Sequence, residues 1–356
     1  FLVCSLIAAA TVLSVQRFGP DAYISHVWSG TSMKGGDLTR RSNRTATVVT
    51  PPVHANTTVA PSTATTSTPA PSRTQLPSNP TGRKLLCHKF TGRLGNELFQ
   101  YASILGLALA MNRTAVFIRS QSLEKVFKTS TKHPTRQAEL EDRCSKAHGA
   151  NEGKCCRFNE KLTRLDPEFD FSVGFYLQSY RYWIQHEDEV KRSIVFSDAV
   201  HRKVNVIVND IRRVYRRSKL IGVHVRRGDY TYKEKIDIGY RTASPEFINK
   251  SLTFFRRLFP TAVFVVASDG IDWCKKNFPS GFHVHYLDMH EAEVDLLVLA
   301  STDHIVITSG SYSWWAGYLN KGITVIMKDF IVPGTPIGDG FNPDGSDFIY
   351  PTWIPL

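Results

Sequence analysis

The sequence predicts an α/β fold built on parallel sheet with helices covering both faces, and three observations carry that prediction. Short apolar runs rich in Val and Ile recur between helical stretches from residue 220 onward. Those runs are continuously apolar rather than alternating, as in strands buried on both faces. A hydrophobic content of 42%, with 11% aromatic residues, supplies enough side chains for a sizeable core.

The N-terminal region stands apart from that rhythm. The run FLVCSLIAAATVLSV (1–15) carries no charge and is closed by Arg17. It falls short of the roughly 20 apolar residues that span a bilayer. Residues 1–16 are therefore expected to be part of an uncleaved signal-anchor. The competing reading is the apolar region of a cleaved signal peptide. Residues 17–83 turn to Thr, Ser, Pro and Ala, which bury too little apolar surface to offset chain entropy, and read as a disordered stalk. Glycosylation sequons stand at Asn43, Asn56, Asn112 and Asn249. Anchor, stalk and large C-terminal domain is the plan of a single-pass type II membrane protein whose folded part faces a secretory lumen.

The net charge is +12, and residues 1–83 hold seven Lys/Arg against two Asp/Glu, so five of those charges belong to the stalk region. The rest interleaves both signs apart from Arg212, Arg213, Arg216, Arg217 and Lys219. A basic helix end usually means a solvated face, and with no nucleic-acid motif present nucleic acid is not an expected partner. Beyond Cys4 in the apolar run, five cysteines remain: Cys87, Cys144, Cys155, Cys156 and Cys274. That odd number leaves at least one free or paired between chains. Cys144 and Cys155-Cys156 are near enough to staple a local loop, but the sequence does not fix the pairing, and the spacing fits no zinc motif.

The folded part opens near Lys84 with the strand LLCHKF. A helix follows in GRLGNELFQYASILGLALAM, with Leu94, Leu98, Tyr101, Leu105 and Leu109 on one stripe. TAVFIR is a strand, residues 120–175 show no clear elements, and DAVHRKVNVIVNDIRRVY is a helix. LIGVHV (220–225) is a buried strand, SPEFINKSLTFFRRLF a helix capped by Ser244, and AVFVVAS (262–268) a strand. GIDWCKKNF is a short helix, FHVHYL a strand, EAEVDLLVLAST a helix and DHIVITS a strand. SYSWWAGYLNK is a helix, and ITVIMK is the last expected strand. Trp314 and Trp315 are expected in the core rather than on a sugar platform.

In a covered parallel sheet, ligands bind beyond the carboxyl ends of the strands. Strand 220–225 runs straight into Arg226-Arg227-Gly228-Asp229-Tyr230. Guanidinium groups there suit an anion, because they fork phosphate oxygens in two parallel bonds. The plainer alternative is a surface ion pair with Asp229. Asp269, just past the next strand, either accepts from a ribose or base edge or caps a helix. Thr308-Ser309-Gly310-Ser311 precede another helix and offer amides, hydroxyls and a positive dipole. Gly92, Gly95 and Asn96 open the first helix in the same manner. Convergence of these features on one sheet edge points to a diphosphate ligand.

The run His224-Val225-Arg226-Arg227-Gly228-Asp229-Tyr230 resembles the H-x-R-R-G-D-Y signature of the α-1,2-fucosyltransferases, glycosyltransferase family 11. T-G-R-L-G-N-E-L-F-Q-Y-A (91–102), VFVVASDGIDWCK (263–275) and ITSGSYSWWAGYL (307–319) resemble three further blocks of that family, in its order. The likeness spans about residues 84–330. Glu97 departs from it, standing where the family usually has Gln. The resemblance implies two facing Rossmann-like halves (GT-B-like), an acceptor-side half at 84–215 and a donor-binding half at 216–356. It implies GDP-β-L-fucose as donor, inversion at the fucose carbon, no metal or other cofactor, a galactose-terminated glycan as acceptor, and a Golgi membrane location. By position, Arg226 would hold the β-phosphate, with Arg227 and Asp269 also at the donor. His224 would approach the guanine, Asp295 would recognise the nucleoside, and Ser309, Gly310 and Ser311 would cradle phosphate. Asp229 and Glu234 are the candidates for a general base. A transferase with another linkage or acceptor, or a non-catalytic glycan-binding relative, are the competing classes.

Overall fold

Leu85 and Cys87 of the first strand pack with Val116 and Cys144 on one side, while Leu86 between them enters the main core on the other. A two-residue period with both sides buried makes this a strand inside a sheet, not on its surface. In the computed structural model, which describes residues 82–356 except 119, 128–133 and 289, that strand belongs to the first of two parallel sheets. The expected signal-anchor, the stalk up to residue 81, and the sequons at Asn43 and Asn56 lie outside the described residues.

The first sheet contains β1 (Leu85–Lys89), β2 (Thr114–Ile118), β3 (His148–Asn151) and β4 (Phe171–Gly174) in the order β2-β1-β4-β3. All three pairings are parallel. Helix α1 (Leu94–Ala110) connects β1 to β2, and the short α2 (Gln121–Val126) follows. Helix α3 (Pro134–Ser145) packs on β1 and β2 and is tied to β1 by the disulfide Cys87–Cys144. Helix α1 is buried on nearly every side rather than along one stripe. It lies between the first sheet and the second half, so residues off the predicted stripe, such as Phe99 and Gln100, are also withdrawn from solvent.

Helices α4 (Glu187–Ser193) and α5 (Asp198–Val214) lead to the second sheet, which holds β5 (Leu220–Val225), β6 (Val263–Ser268), β7 (His283–Tyr286), β8 (His304–Ile307), β9 (Thr324–Ile326) and β10 (Ile354–Pro355). Its order is β10-β9-β8-β5-β6-β7, parallel throughout. The connecting helices are α6 (Lys233–Asp237), α7 (Pro245–Leu258), α8 (Ile271–Asn277), α9 (Ala292–Ala300) and α10 (Ser311–Leu319). Ser244 caps α7 by accepting the Phe247 amide at 3.1 Å, and Pro245 fills the first turn, where its missing N–H costs nothing. The ladder runs one strand past ITVIMK, because the two-residue β10 pairs with β9. Helix α5 packs on α9, so it lies with the second sheet's layers. Its basic end forms ion pairs: Arg212 and Lys219 meet Asp303 at 2.9 and 3.5 Å, and Arg213 meets Asp210 at 3.0 Å.

Aromatic side chains weld the two halves together. Phe99 of α1 packs 4.6 Å from Trp314 and 5.7 Å from Trp183, and Trp314 and Trp315 are fully buried, as expected. Two of these three indole N–H groups have partners: Trp183 Nε1 donates to Tyr318 Oη at 2.9 Å and Trp314 Nε1 to the Phe348 carbonyl at 2.6 Å, while Trp315 Nε1 is buried without one among the described residues. The chain after residue 340 returns to the first half, where Asp347 accepts from the Phe158 amide at 2.8 Å and pairs with Arg181 at 2.9 Å. Among the described residues no helix is long and apolar enough to cross a membrane.

Candidate active site

In the second sheet β5 is flanked by β8 on one side and β6 on the other, so chain order reverses beside it. A crevice opens at such a switch point, beyond the carboxyl ends of the strands. It forms here as a cleft of about 530 Å³ lined by residues leaving β5, β6 and β8 and by the start of α1 from the facing half.

Arg226 follows the last residue of β5. Its Nη1 pairs with Asp269, which follows β6, and its Nη2 with Asp229. The guanidinium also lies over the Tyr230 ring, 4.9 Å from its centroid, so the fork is fixed on three sides. Asp229 in turn meets Arg93 of the first half at 3.5 Å. Gly228, with φ 31°, gives way to this arrangement, since a Cβ there would collide with the Asp269 carboxylate. The backbone is fixed as well: the Arg226 amide donates to Thr308 Oγ1 at 2.9 Å.

Two helix N-termini meet at the cleft. Helix α1 begins after Arg93 and α10 after Gly310, and neither carries a side-chain cap. The first amides of a helix lack internal partners and carry the positive end of its dipole, so these two starts favour an anion. Their approach depends on Gly95, where a Cβ would stand 2.5 Å from the Tyr312 amide nitrogen. Asn96 joins them: its Oδ1 accepts from Ser311 Oγ at 2.5 Å and from Gln178 Nε2 at 2.9 Å. Ser309 Oγ donates to the Arg241 carbonyl at 2.9 Å, holding the loop before Gly310.

His224, the penultimate residue of β5, is buried with Nδ1 2.5 Å from Ser313 Oγ and its ring 4.9 Å from that of Tyr312. Burial lowers its pKa to about 4, so it is a neutral imidazole at pH 7. Asp295 of α9 takes His290 Nδ1 at 2.8 Å, and burial raises its pKa against the pull of that bond. Among the described residues no group of three His, Cys, Asp or Glu side chains is placed to hold a metal ion.

The glycosyl transferase family 11 model matches residues 49–353. The chain belongs to glycosyl transferase family 11. It is 26% identical over 299 residues to galactoside α-(1,2)-fucosyltransferase 2 of Sus scrofa, covering 79% of this chain and 82% of that protein. It is 27% identical over 281 residues to galactoside α-(1,2)-fucosyltransferase 1 of Homo sapiens, covering 74% and 72%. The crystal structure of fucosyltransferase NodZ from Bradyrhizobium is 14% identical and covers 67% of this chain and 94% of its own, with a TM-score of 0.43.

In this family 11 chain the cleft gathers Gly95, Asn96, His224, Arg226, Asp229, Asp269, Asp295, Ser309, Gly310 and Ser311. Three predicted residues do not line it. Gly92, with φ 91°, makes the turn ahead of α1, a turn also held by Gln100, which brackets the Thr91 backbone at 2.7 and 2.9 Å. Arg227 lays its guanidinium 4.0 Å over the Trp273 ring. Glu234 is exposed on α6. Glu97, the departure from the family pattern, is buried and accepts from Ser120 Oγ at 2.7 Å, away from the cleft. Asn112 and Asn249 are exposed. The lining residues missed in the sequence include Arg93, Tyr176, Gln178, Tyr230, Lys235, Tyr240, His290, Tyr312 and the disulfide-bonded pair Cys155–Cys156. Arg93, Tyr230 and Tyr312 sit inside quoted motifs, a signal that could have found them. Cys274 is the free, buried cysteine among those described.

Proposed function

We propose that this chain transfers L-fucose from GDP-β-L-fucose to the 2-hydroxyl of a galactose residue on a glycan, with inversion and without a metal ion, in the Golgi lumen. The observation that carries the reading is the Arg226 guanidinium, braced by Asp229 and Asp269 and aimed into a cleft where two helices begin. A departing nucleoside diphosphate gains negative charge as the sugar bond breaks. A fixed cation and helix amides stabilise that charge most in the transition state. Arginine and two helix dipoles thereby supply the positive field at the leaving group.

The other residues divide the donor between them. His224, neutral beside Tyr312, suits the edge of a guanine, and Asp295 accepts from the nucleoside. Ser309, Gly310 and Ser311 surround the phosphates. Asp229 is committed to Arg226 and Arg93, so its first role is to orient the clamp. A dissociative, oxocarbenium-like path needs little help from a base. The relatives' names supply the galactoside acceptor and the 1,2 linkage. The apolar run at 1–15 and the Thr/Pro-rich stretch after it support a luminal, membrane-tethered enzyme.

A donor test separates these elements. GDP should inhibit transfer competitively with GDP-fucose, whereas UDP at equal concentration should not. Transfer should continue in excess chelator; a loss restored by manganese would contradict the metal-free account of the leaving group.

A further inference from the structure

Glu152 has only 4% of its surface exposed, and the transfer reading leaves it unused. It follows β3, and its two carboxyl oxygens accept the amides of Tyr176 at 2.8 Å and Leu177 at 2.7 Å, just past β4. β3 and β4 are parallel neighbours in which Asn151 pairs with Gly174. Where that ladder ends, the amides of the next residues have no strand partner, and the Glu152 side chain takes the place of one. Burial pushes its carboxyl up to about 8 while the two amides pull the other way. Ionised or protonated, a carboxyl keeps an oxygen for each amide.

The turn held in this way does not form easily. Phe175 and Leu177 have φ of 70° and 52°, the left-handed region that disfavours residues with a Cβ. Conformations of this kind persist where the surroundings over-determine them, and they cluster at ligand sites. Here the surroundings are the Glu152 carboxyl, the buried Leu177 side chain, and the Leu177 carbonyl, which accepts from Ser103 Oγ at 2.8 Å. The product of the turn is the placement of Tyr176 and Gln178, both of which line the cleft. Gln178 is tied through Asn96 to Ser311 at the phosphate end. Tyr176 belongs to the part of the lining contributed by the first half, and Tyr240 to the part contributed by the second.

We propose that Glu152 is a positioning residue for the acceptor, locking the left-handed turn at 175–177 so that Tyr176 presents its ring and hydroxyl to the acceptor sugar. This deepens the transferase reading and rests on it. A tyrosine offers an apolar face and a polar tip, which matches a sugar's mixed surface. Gln178, next after the turn, is held separately by its amide to the Cys155 carbonyl at 3.0 Å and its side chain to Asn96, so the donor cradle keeps its place when the turn loosens.

The test is steady-state kinetics of the full chain with GDP-fucose and a β-galactoside, alongside GDP binding by calorimetry. Glu152→Gln keeps the shape but turns an NH₂ toward one of the two amides, setting donor against donor. The acceptor KM should rise at least about tenfold, with kcat within about threefold and GDP affinity within about twofold. Adding Phe175→Asn, at an exposed position where Asn tolerates the left-handed region, should recover at least about threefold of that KM. A purely structural role would weaken donor and acceptor together and gain nothing from the second change. An unchanged acceptor KM in Glu152→Gln, a parallel loss of GDP affinity, or no recovery in the double variant overturns the inference while wild-type transfer stands. A wild type that binds GDP but transfers to no acceptor overturns the functional reading and this inference together.

Discussion

Arg226 is held by Asp229 on its own turn and by Asp269 from the neighbouring strand, so its fork has one orientation before any ligand arrives. Lysine would keep the charge but neither the planar fork nor the double brace. Arg226→Lys should therefore lower kcat/KM about 100-fold, and Arg226→Ala about 1,000-fold, with the thermal midpoint little changed. Near-normal turnover in a folded Arg226→Ala protein would remove the guanidinium from the chemistry. His224 makes a second residue-scale prediction, this one for stability. Its folded pKa is near 4 and its unfolded value near 6.5. Above pH 6.5 it is neutral in both states. Between 6.5 and 4 only the unfolded chain takes up the proton, so stability is lost as pH falls. The loss from this group should reach roughly 3 kcal/mol by pH 4. Urea titrations at pH 7 and 4.5 should show it, and His224→Asn should flatten that part of the profile.

At the scale of elements, the approach of α1 to α10 is set by Gly95. In Gly95→Ala the new methyl meets the Tyr312 backbone at 2.5 Å and must push the two helix starts apart. GDP should bind at least about tenfold more weakly, and an unchanged dissociation constant would show that the paired helix starts do not form the anion site. The disulfide Cys87–Cys144 closes a 57-residue separation and fixes α3 to β1. Replacing both cysteines by Ala should destabilise the protein by about 4 kcal/mol, measured by urea unfolding. β5, β6 and β8 are mostly apolar because both faces are buried, so their ends, and with them Arg226, Asp269 and Ser309 to Ser311, are readable from pattern alone. β3 and β4 are four-residue segments, HGAN and FSVG, with few apolar side chains and no period to detect. The turn they support was illegible for a sharper reason: its left-handed positions are Phe175 and Leu177, where pattern reading looks for glycine. Glu234 is near the clamp in sequence, but nearness carries no direction; the 3₁₀ turn at Gly228–Thr231 leads the chain out to solvent before α6 begins.

At the scale of the molecule, the cleft exists because two sheets are joined by one aromatic core, with Phe99, Trp183, Trp314 and Phe348 drawn from distant parts of the chain. Those contacts set the spacing between the Arg226 clamp and the start of α1. Phe99→Ala should cost about 3–5 kcal/mol and lower GDP affinity although Phe99 does not itself line the cleft, reaching it through Phe348, 6.0 Å away ring to ring. A loss of stability with GDP affinity intact would mean that the halves hold their spacing by other means. The whole-molecule claim is that this spacing serves fucose transfer to galactose. Its most direct test is to give the protein GDP-fucose and a β-galactoside and to determine the linkage in the product. Fucose should appear on the galactose 2-hydroxyl; no transfer by folded protein that binds GDP, or fucose at any other position, would refute the assignment.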